Sequence, residues 1–588
     1  MSELATGYRP HGERARARAL PDEVPDTLVL EERAELAMNA VAGLLDPGWE
    51  APFFSANLAA RPAYLRHGDW DYGSSHGRLT DACILARHMS GTARYLDVEH
   101  RLKRGLLGYF GEDGLSYRRR NPRGHWEPNA NLIDQRAVIL ALTTWFLDEP
   151  SDEVRSAADR HVAALRRIAV KERDVWYYPA SEYTARGWPS ANAVQLHLAP
   201  DPASFCGRLI MPLLRYHQAT GNEDALELCL WFARLIVDKS GVFQPDGSFN
   251  NALAYRSGHF HTRLGTLDGL ARLALHVGDH SLTEFVRHSF DWALNHATRF
   301  GWTPGDLGEQ RFEHETCSLV DLIGIATTLA RAGHQRYWGT VERFVRNHLC
   351  QSQLMEVSWV ESAHDTSSDV EGWLSYFNVG ERVRGAFAGY GAPNDYVSDV
   401  PLGRGHTSDV QACCVGSGVR GLFTCWNNIV SGDAQLLHVN LLLSRGGHLV
   451  DVSSYLPFSG QLDVHVRQDL KELHVRLPEW AGYAAVRASI DDEDRSATSD
   501  RVGWAADGCL AVVAPLREER VSVRFPLPEH ETLEEAAGQR FVVQWRGDNV
   551  ATISPPGRYR PMYCGLPVAG PAPLRTRRYH VPEKELPW

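Results

Sequence analysis

RLIMPLLRYHQATGNEDALELCLWFARLIVD, residues 208–238, reads as two amphipathic helices parted by a small-residue break at Gly221. Apolar side chains recur at three- and four-residue intervals on both sides of that break, which is the period of a helix with one buried face. The same sentence is written again in LTDACILARHMSGTARYLDVEHRLKRGLLGYF (79–110), TLDGLARLALHVGDHSLTEFVRHSFDWALNHA (266–297) and LVDLIGIATTLARAGHQRYWGTVERFVRNHL (319–349). The breaks at Gly221, Gly278 and Gly333 fall 57 and 55 residues apart. A steady period of this size indicates stacked helical hairpins. A further pair fits 132–168, and helices at 31–45 and 417–430 bring the count to about twelve. An open solenoid would need polar capping repeats. All the pairs here are apolar, and their connections are long and rich in Trp, Tyr and Gly, as suits loops that build a cleft on one side of a closed ring. The expectation is a mainly α chain whose residues 31–432 form an (α/α)6 toroid.

The patterning changes near Gly432. LLHVNLLLSRGGHLVDVSSYLPF (436–458) and the segments LDVHVRQ, LHVRLPEWA, LAVVAPL, VSVRFPL and FVVQWRGDNVATISP show short apolar alternation bounded by Gly, Pro or Asp. That is strand patterning at the spacing of a β-sandwich, expected over 433–588 with an irregular tail, APLRTRRYHVPEKELPW. Residues 1–30 are expected to be a flexible arm. It holds the only basic run, HGERARARAL (11–20).

The 588 residues are 44% hydrophobic and 23% charged, an ordinary globular balance. A formal charge of -12 and a pI near 6.1 give no general pull toward nucleic acid or anionic lipid, so neither partner is expected. The opening MSELATGYRP has no apolar core of a signal peptide, and no run of eighteen apolar residues exists to span a membrane. The expected compartment is the cytoplasm. There the ten cysteines (83, 206, 229, 317, 350, 413, 414, 425, 509 and 564) should not form a disulfide framework, so metal binding or catalysis is the question for any that cluster.

Two motifs do cluster them. HETC sets Glu315 and Cys317 one residue apart, and QACCVGSG makes Cys413 and Cys414 adjacent. Buried free cysteines are commonly plain small hydrophobes. Yet three thiolates and a carboxylate also complete a tetrahedral Zn2+ shell. The two motifs lie 96 residues apart, so only the fold can join them. Each precedes a helix, TCSLVDLIGIATTLA or VGSGVRGLFTCWNNIV, and a helix N-terminus favours the thiolate that zinc requires.

With these motifs the chain resembles glycoside hydrolase family 127, the β-L-arabinofuranosidase family, formerly a domain of unknown function. The resemblance implies an (α/α)6 barrel with β-sandwich material behind it. It also implies zinc held by Glu315, Cys317, Cys413 and Cys414, with Cys413 as nucleophile. SGHFHTRLG matches the family's Gly-His before a pocket-lining helix, giving His259 with His261 beside it as sugar contacts. TPGDLGEQRFEHETC offers Glu309 after a glycine as the general acid/base, with Asp306 and Glu313 competing; its six-residue distance from Glu315 is short for the family. Where the family carries Tyr-x-x-His-Lys, this chain has NLIDQRAVILAL, with Asp134 and Gln135 in place of the His. That departure points to a different sugar hydroxyl and leaves the substrate open.

The implied chemistry is a retaining glycosidase in which a zinc-held thiolate replaces the usual nucleophilic carboxylate. The expected partner is a carbohydrate or small glycoside: a β-L-arabinofuranoside, a related furanoside or a deoxysugar. Among 17 Trp, Trp70, Trp126, Trp302 and Trp359 fall in toroid loops as sugar platforms, Trp70 foremost, although Trp is usually a packing residue. Two other readings stand beside this one. The barrel could serve another sugar enzyme, an epimerase or a lyase, since fold does not select chemistry. Or the zinc could be structural in a non-catalytic carbohydrate-binding protein, because a closed four-ligand shell is the structural pattern. Oligomeric state is not legible.

Overall fold

The computed structural model describes residues 18–19, 23–46, 48–49, 51–118, 127–172, 174–189, 201–250, 259–307, 313–365, 372–398, 408–495, 500–566 and 570–587. Among these residues twelve helices of eight residues or more follow in order. They are α1 (Leu30–Leu44), α2 (His76–Ser90), α3 (Leu96–Gly108), α4 (Leu132–Asp148), α5 (Asp152–Ile168), α6 (Ile210–Thr220), α7 (Glu223–Arg234), α8 (Phe260–Val277), α9 (His280–Leu294), α10 (Thr316–Arg331), α11 (Tyr337–Phe344) and α12 (Ala412–Asn427).

The even-numbered helices pack α2 to α4, α6, α8, α10, α12 and back to α2, a closed inner ring. The odd-numbered helices lie outside it. This is the (α/α)6 toroid. The division follows from the side chains. An outer helix such as α5 buries one stripe, Val154, Ala158, Val162 and Leu165, and leaves its other face wet. Inner α2 buries almost every residue from His76 to Met89. The hairpin turns have the expected chemistry: Asn222 and Asp279 cap α7 and α9 by accepting from Ala225 and Leu282 amides, at 3.0 Å each. Gly221 and Gly278, at φ 72° and 70°, end the preceding helices in the left-handed conformation.

Two five-stranded sheets follow, facing each other across a core that includes Leu462, Val464, Leu473, Val475, Val512, Val521 and Val523. One runs in the order 430–432, 437–439, 472–475, 510–513, 502–504, with 437–439 and 472–475 parallel. The other runs 450–454, 461–466, 520–524, 487–490, 493–495. The sandwich thus begins at Val430 and ends near Phe525, short of the full 433–588 span expected for it. The next three strands, 529–536, 539–546 and 549–554, form a separate antiparallel sheet. Its Phe541, Trp545, Val550 and Ile553 pack on Phe300 and Trp302 of the barrel. Buried Glu342 of α11 ties the two parts together through Arg346 at 2.8 Å and Arg476 of the sandwich.

The ends of the chain differ from expectation. Within the arm, 18–19 pair with 578–579 of the tail and 24–25 with 574–575. The Arg575 guanidinium lies 3.0 Å from Asp26 and 2.7 Å from Glu32. The described part of the arm is therefore held by the tail, and the tail carries two short strands. No helix among the described residues is long and apolar enough to cross a membrane.

Candidate metal and thiol centre

A small four-stranded sheet builds the mouth of the ring, in the order 410–411, 55–57, 64–66, 374–375. Its edge strand Val410–Gln411 pairs with Ser55 and Ala56, and the Ala412 amide donates to Phe54 O at 2.7 Å. This anchors the start of α12. The helix begins at Ala412, five residues earlier than its apolar pattern suggested, so Cys413 and Cys414 sit inside the first turn. Glu315 occupies the N-cap of α10, with Cys317 in the turn behind it. That start is also pinned: His314 exchanges backbone hydrogen bonds with Gly391 at 3.0 Å, and Thr316 Oγ1 donates to Ala388 O at 2.7 Å. His259 occupies the N-cap position of α8, and His261 lies in the first turn. The groups therefore come from three helix N-termini, whose unpaired amides favour anionic sulfur and carboxylate.

The Cys317 and Cys414 sulfurs are 3.6 Å apart, and the ligand atoms of Cys317, Cys413 and Cys414 all lie within 4.8 Å of one another. A tetrahedral ion with bonds of about 2.3 Å to sulfur sets its sulfurs about 3.8 Å apart, so the trio fits a metal. A second trio, His261, Glu315 and Cys317, obeys the same limit and shares Cys317 with the first. Cys414 is wholly buried, whereas Cys413 is half-buried and reaches Gln411 Oε1 at 3.4 Å. Successive residues on a helix diverge by about 100°, which lets the two neighbours differ in burial.

The electrostatics set one sulfur apart from the other two. Burial alone would push the Cys317 thiol up. Hydrogen bonds from Cys413 and Cys414, with the charge of Arg78, instead bring it well below its ordinary value. The Cys413 and Cys414 thiols are pushed up, first because each donates to Cys317. One negative charge is thus shared by three sulfurs, and further deprotonation calls for a positive ion among them. Burial also opposes the Glu315 charge. His259, 3.3 Å from both carboxylate oxygens, overcomes it and holds the carboxyl at about 2.

Further side chains surround this centre. Arg78 of α2 points one guanidinium nitrogen at Cys317 Sγ (3.3 Å), Ser417 Oγ (3.2 Å) and Cys413 O (3.4 Å). Its approach depends on Gly416, where a Cβ would stand 2.8 Å from both the Cβ and the carbonyl oxygen of Arg78. His261 donates from Nδ1 to Asp321 at 2.6 Å, and its Nε2 accepts from Arg208. Arg78, Arg208, His261, Asp321 and Ser417 line a cavity of about 50 Å³ along the ring axis. Gln411, Gly416 and Ser417 stand within QACCVGSG and His261 within SGHFHTRLG, whereas Arg78, Arg208 and Asp321 had no such signal.

Other expected contacts lie elsewhere. Gln135 is fully buried, its amide bonded to Ser116 N and O and to Asn131 O, so it braces the backbone and offers nothing to a sugar. Asp134 grips Arg118 through both oxygens, at 2.7 and 3.1 Å, and caps the Ser74 amide. Both therefore serve packing, because a buried carboxylate or amide takes the nearest donor. Trp302 is buried against the three-stranded sheet and donates to Gly391 O. Trp359 is half-buried against the barrel core. Trp70 is half-exposed, with the Arg118 guanidinium 4.6 Å over its ring. Asp306 pairs with His259 along the backbone, and Glu313 is half-buried. Glu309 and Trp126 lie outside the described residues.

No protein-family model and no curated protein matches the sequence. The fold is shared with glycoside hydrolases. One solved structure described by those words aligns at TM-score 0.57 and 11% identity, over 91% of this chain and 83% of that one. More particularly, it is the fold of glycoside hydrolase family 127. A β-L-arabinofuranosidase of that family from Geobacillus stearothermophilus T6 aligns at TM-score 0.53 and 15% identity over 89% of this chain and 80% of that one. A second β-arabinofuranosidase of the family aligns at TM-score 0.55 and 14% identity, covering 89% and 81%. At such identities the shared feature is the fold.

Proposed function

We propose that the protein is a retaining glycoside hydrolase with Cys413 as nucleophile, acting on a β-L-arabinofuranoside or a related furanoside or deoxysugar. The observation that carries this reading is that, within a metal-fitting trio of sulfurs, Cys413 alone is not fully buried. The arabinofuranosidases that share the fold support the substrate class. Glu315, Cys317, Cys414 and Cys413 are the residues that would hold zinc, and the ion would keep the sulfurs deprotonated at neutral pH.

In the first step the Cys413 sulfur bonds to the anomeric carbon as the glycosidic C–O bond breaks. The leaving oxygen takes a proton from a carboxylic acid, the role assigned to Glu309. In the second step that carboxylate removes a proton from water, the water oxygen bonds to the anomeric carbon, and the C–S bond breaks. Two inversions retain the configuration. Arg78 and Gln411 orient the sulfurs, and His259 holds Glu315.

Cys413→Ser should keep the fold and most of the metal, because three ligands remain, and it should abolish turnover of aryl furanosides. A sugar-based electrophile should label wild-type protein on the peptide that contains Cys413. The competing reading is a structural zinc in a binding protein, favoured by a four-residue ligand set with no open position. Near-normal turnover by Cys413→Ser, or an adduct on a carboxylate, rejects the cysteine nucleophile. Absence of turnover on every furanoside tried, with the metal present, favours the structural zinc.

A further inference from the structure

A second cluster of side chains with metal-ligand chemistry lies in the β-sandwich, beginning 24 residues after Cys414. His438 and His474 are direct partners on the parallel strands 437–439 and 472–475, so their rings project from the same face. The rings meet edge to face, with centroids 4.9 Å apart. Asp507 reaches them from the hairpin between strands 502–504 and 510–513. The ligand atoms of His438, His474 and Asp507 all lie within 4.8 Å of one another.

Three details favour an ion over an ordinary polar contact. The first is the tautomer of His474. Its Nε2 is 2.8 Å from Glu472 Oε1, and a carboxylate can only accept, so Nε2 carries the hydrogen. In the neutral ring, Nδ1 then presents a lone pair. That atom is buried, has no hydrogen-bond partner, and faces Asp507 Oδ2 at 3.6 Å. Two acceptors aimed at each other at this distance are a contact that a cation turns favourable. An imidazole that hydrogen-bonds a carboxylate through one nitrogen and leaves the other free is the usual arrangement behind a metal ligand.

The second detail is the carboxylate's orientation. Asp507 Oδ1 accepts from the Cys509 amide at 3.0 Å, which turns Oδ2 toward His474. The third is space. Across the sheet from His474 the register continues to Ala511 and then to Gly503. A Cβ added at Gly503 would meet nothing within 4 Å. Along this register, then, neither Ala511 nor Gly503 sets a large side chain beside His474.

We propose that His438, His474 and Asp507 form a second metal site, for a divalent first-row transition ion such as zinc. Glu472 orients His474, and water completes the shell. Two imidazoles and a carboxylate suit zinc, cobalt or nickel better than magnesium or calcium, which prefer all-oxygen shells. The ion would fasten the 504–510 hairpin to the parallel strand pair. This site does not depend on the glycosidase reading.

The test is metal counting on the full chain after saturation with zinc and removal of free ion by gel filtration. Wild-type protein should hold about one ion per chain more than His438→Gln/Asp507→Asn. Cys317→Ala should lose its ion from the barrel and retain the second. A nickel titration by calorimetry should show a site in wild type that the double variant lacks. Should circular dichroism show that the double variant misfolds, Asp507→Asn alone, on the hairpin, takes its place. Equal ion counts and superimposable nickel isotherms in wild type and either folded variant would overturn the proposal.

Discussion

Replacing Arg78 with methionine separates the chemistry of the thiol centre from the stability of the barrel that holds it. One guanidinium nitrogen faces Cys317 Sγ at 3.3 Å, and Cys413 O and Ser417 Oγ also lie within its reach. At 3.3 Å and an effective dielectric near 20, a full charge pair is worth about 5 kcal/mol, which sets a ceiling. Measured hydrogen bonds to charged groups contribute about 1.5–3 kcal/mol net. If that difference falls on the metal-binding, deprotonated state, Arg78→Met should weaken zinc affinity roughly 10- to 150-fold, at 1.36 kcal/mol per decade.

The effect on the fold should be small and of either sign, because Arg78 also repels its neighbours. Burial, and then the Arg78 charge, bring Arg208 down to about 10, and Arg136 is lowered by burial and by Arg208 and Arg78. Competition with a chromophoric chelator measures the affinity, and urea unfolding of the metal-free proteins measures the fold. Alkylation of Cys413 in the metal-free proteins gives an independent reading. Equal zinc affinity and equal alkylation rates in the two proteins would refute the assigned role of Arg78.

Gly416→Ala should cost about 1–3 kcal/mol in urea unfolding by overpacking, and should also weaken zinc binding, since the new methyl displaces the Arg78 backbone. Glu342→Gln leaves Arg346 and Arg476 without their buried counter-charge and should destabilise by about 3 kcal/mol or more, with earlier proteolysis between barrel and sandwich as the readout. His76, buried between Tyr109 Oη and Leu102 O, is held down at about 4 by burial. The unfolded chain binds its proton near 6.5, so this stability is whole above pH 6.5 and is lost as pH falls toward 4, on the order of 3 kcal/mol in all. Urea midpoints of His76→Gln should fall less steeply over that interval than those of wild type.

Helix and strand content were legible because they are local. The hairpin period of 208–238 and its repeats is a property of side-chain spacing, and burying so many apolar pairs without capping repeats leaves a closed ring as the economical solution. The ring's even and odd helices follow that reading closely. The start of α12 was misplaced because the small residues of QACCVGSG carry little apolar period. It is set instead by a tertiary event, the pairing of 410–411 with 55–57. The arm and tail were read as loose for a similar reason: each needs the other to pair, and neither carries a pattern alone.

By itself the sequence determined the candidate groups, since Glu315, Cys317, Cys413 and Cys414 gather in two short motifs whose donor chemistry fits a metal. Tertiary structure alone decided their surroundings. Arg78 lies 239 residues from Cys317 and Asp321 lies 60 from His261, and no local pattern marks a residue whose role is to be near another. Gln135 and Asp134 show the converse. Read along the chain they looked like ligands for a sugar, but the fold placed donors from Ser116 and Arg118 against them first, and a buried polar group takes the partner it is packed beside.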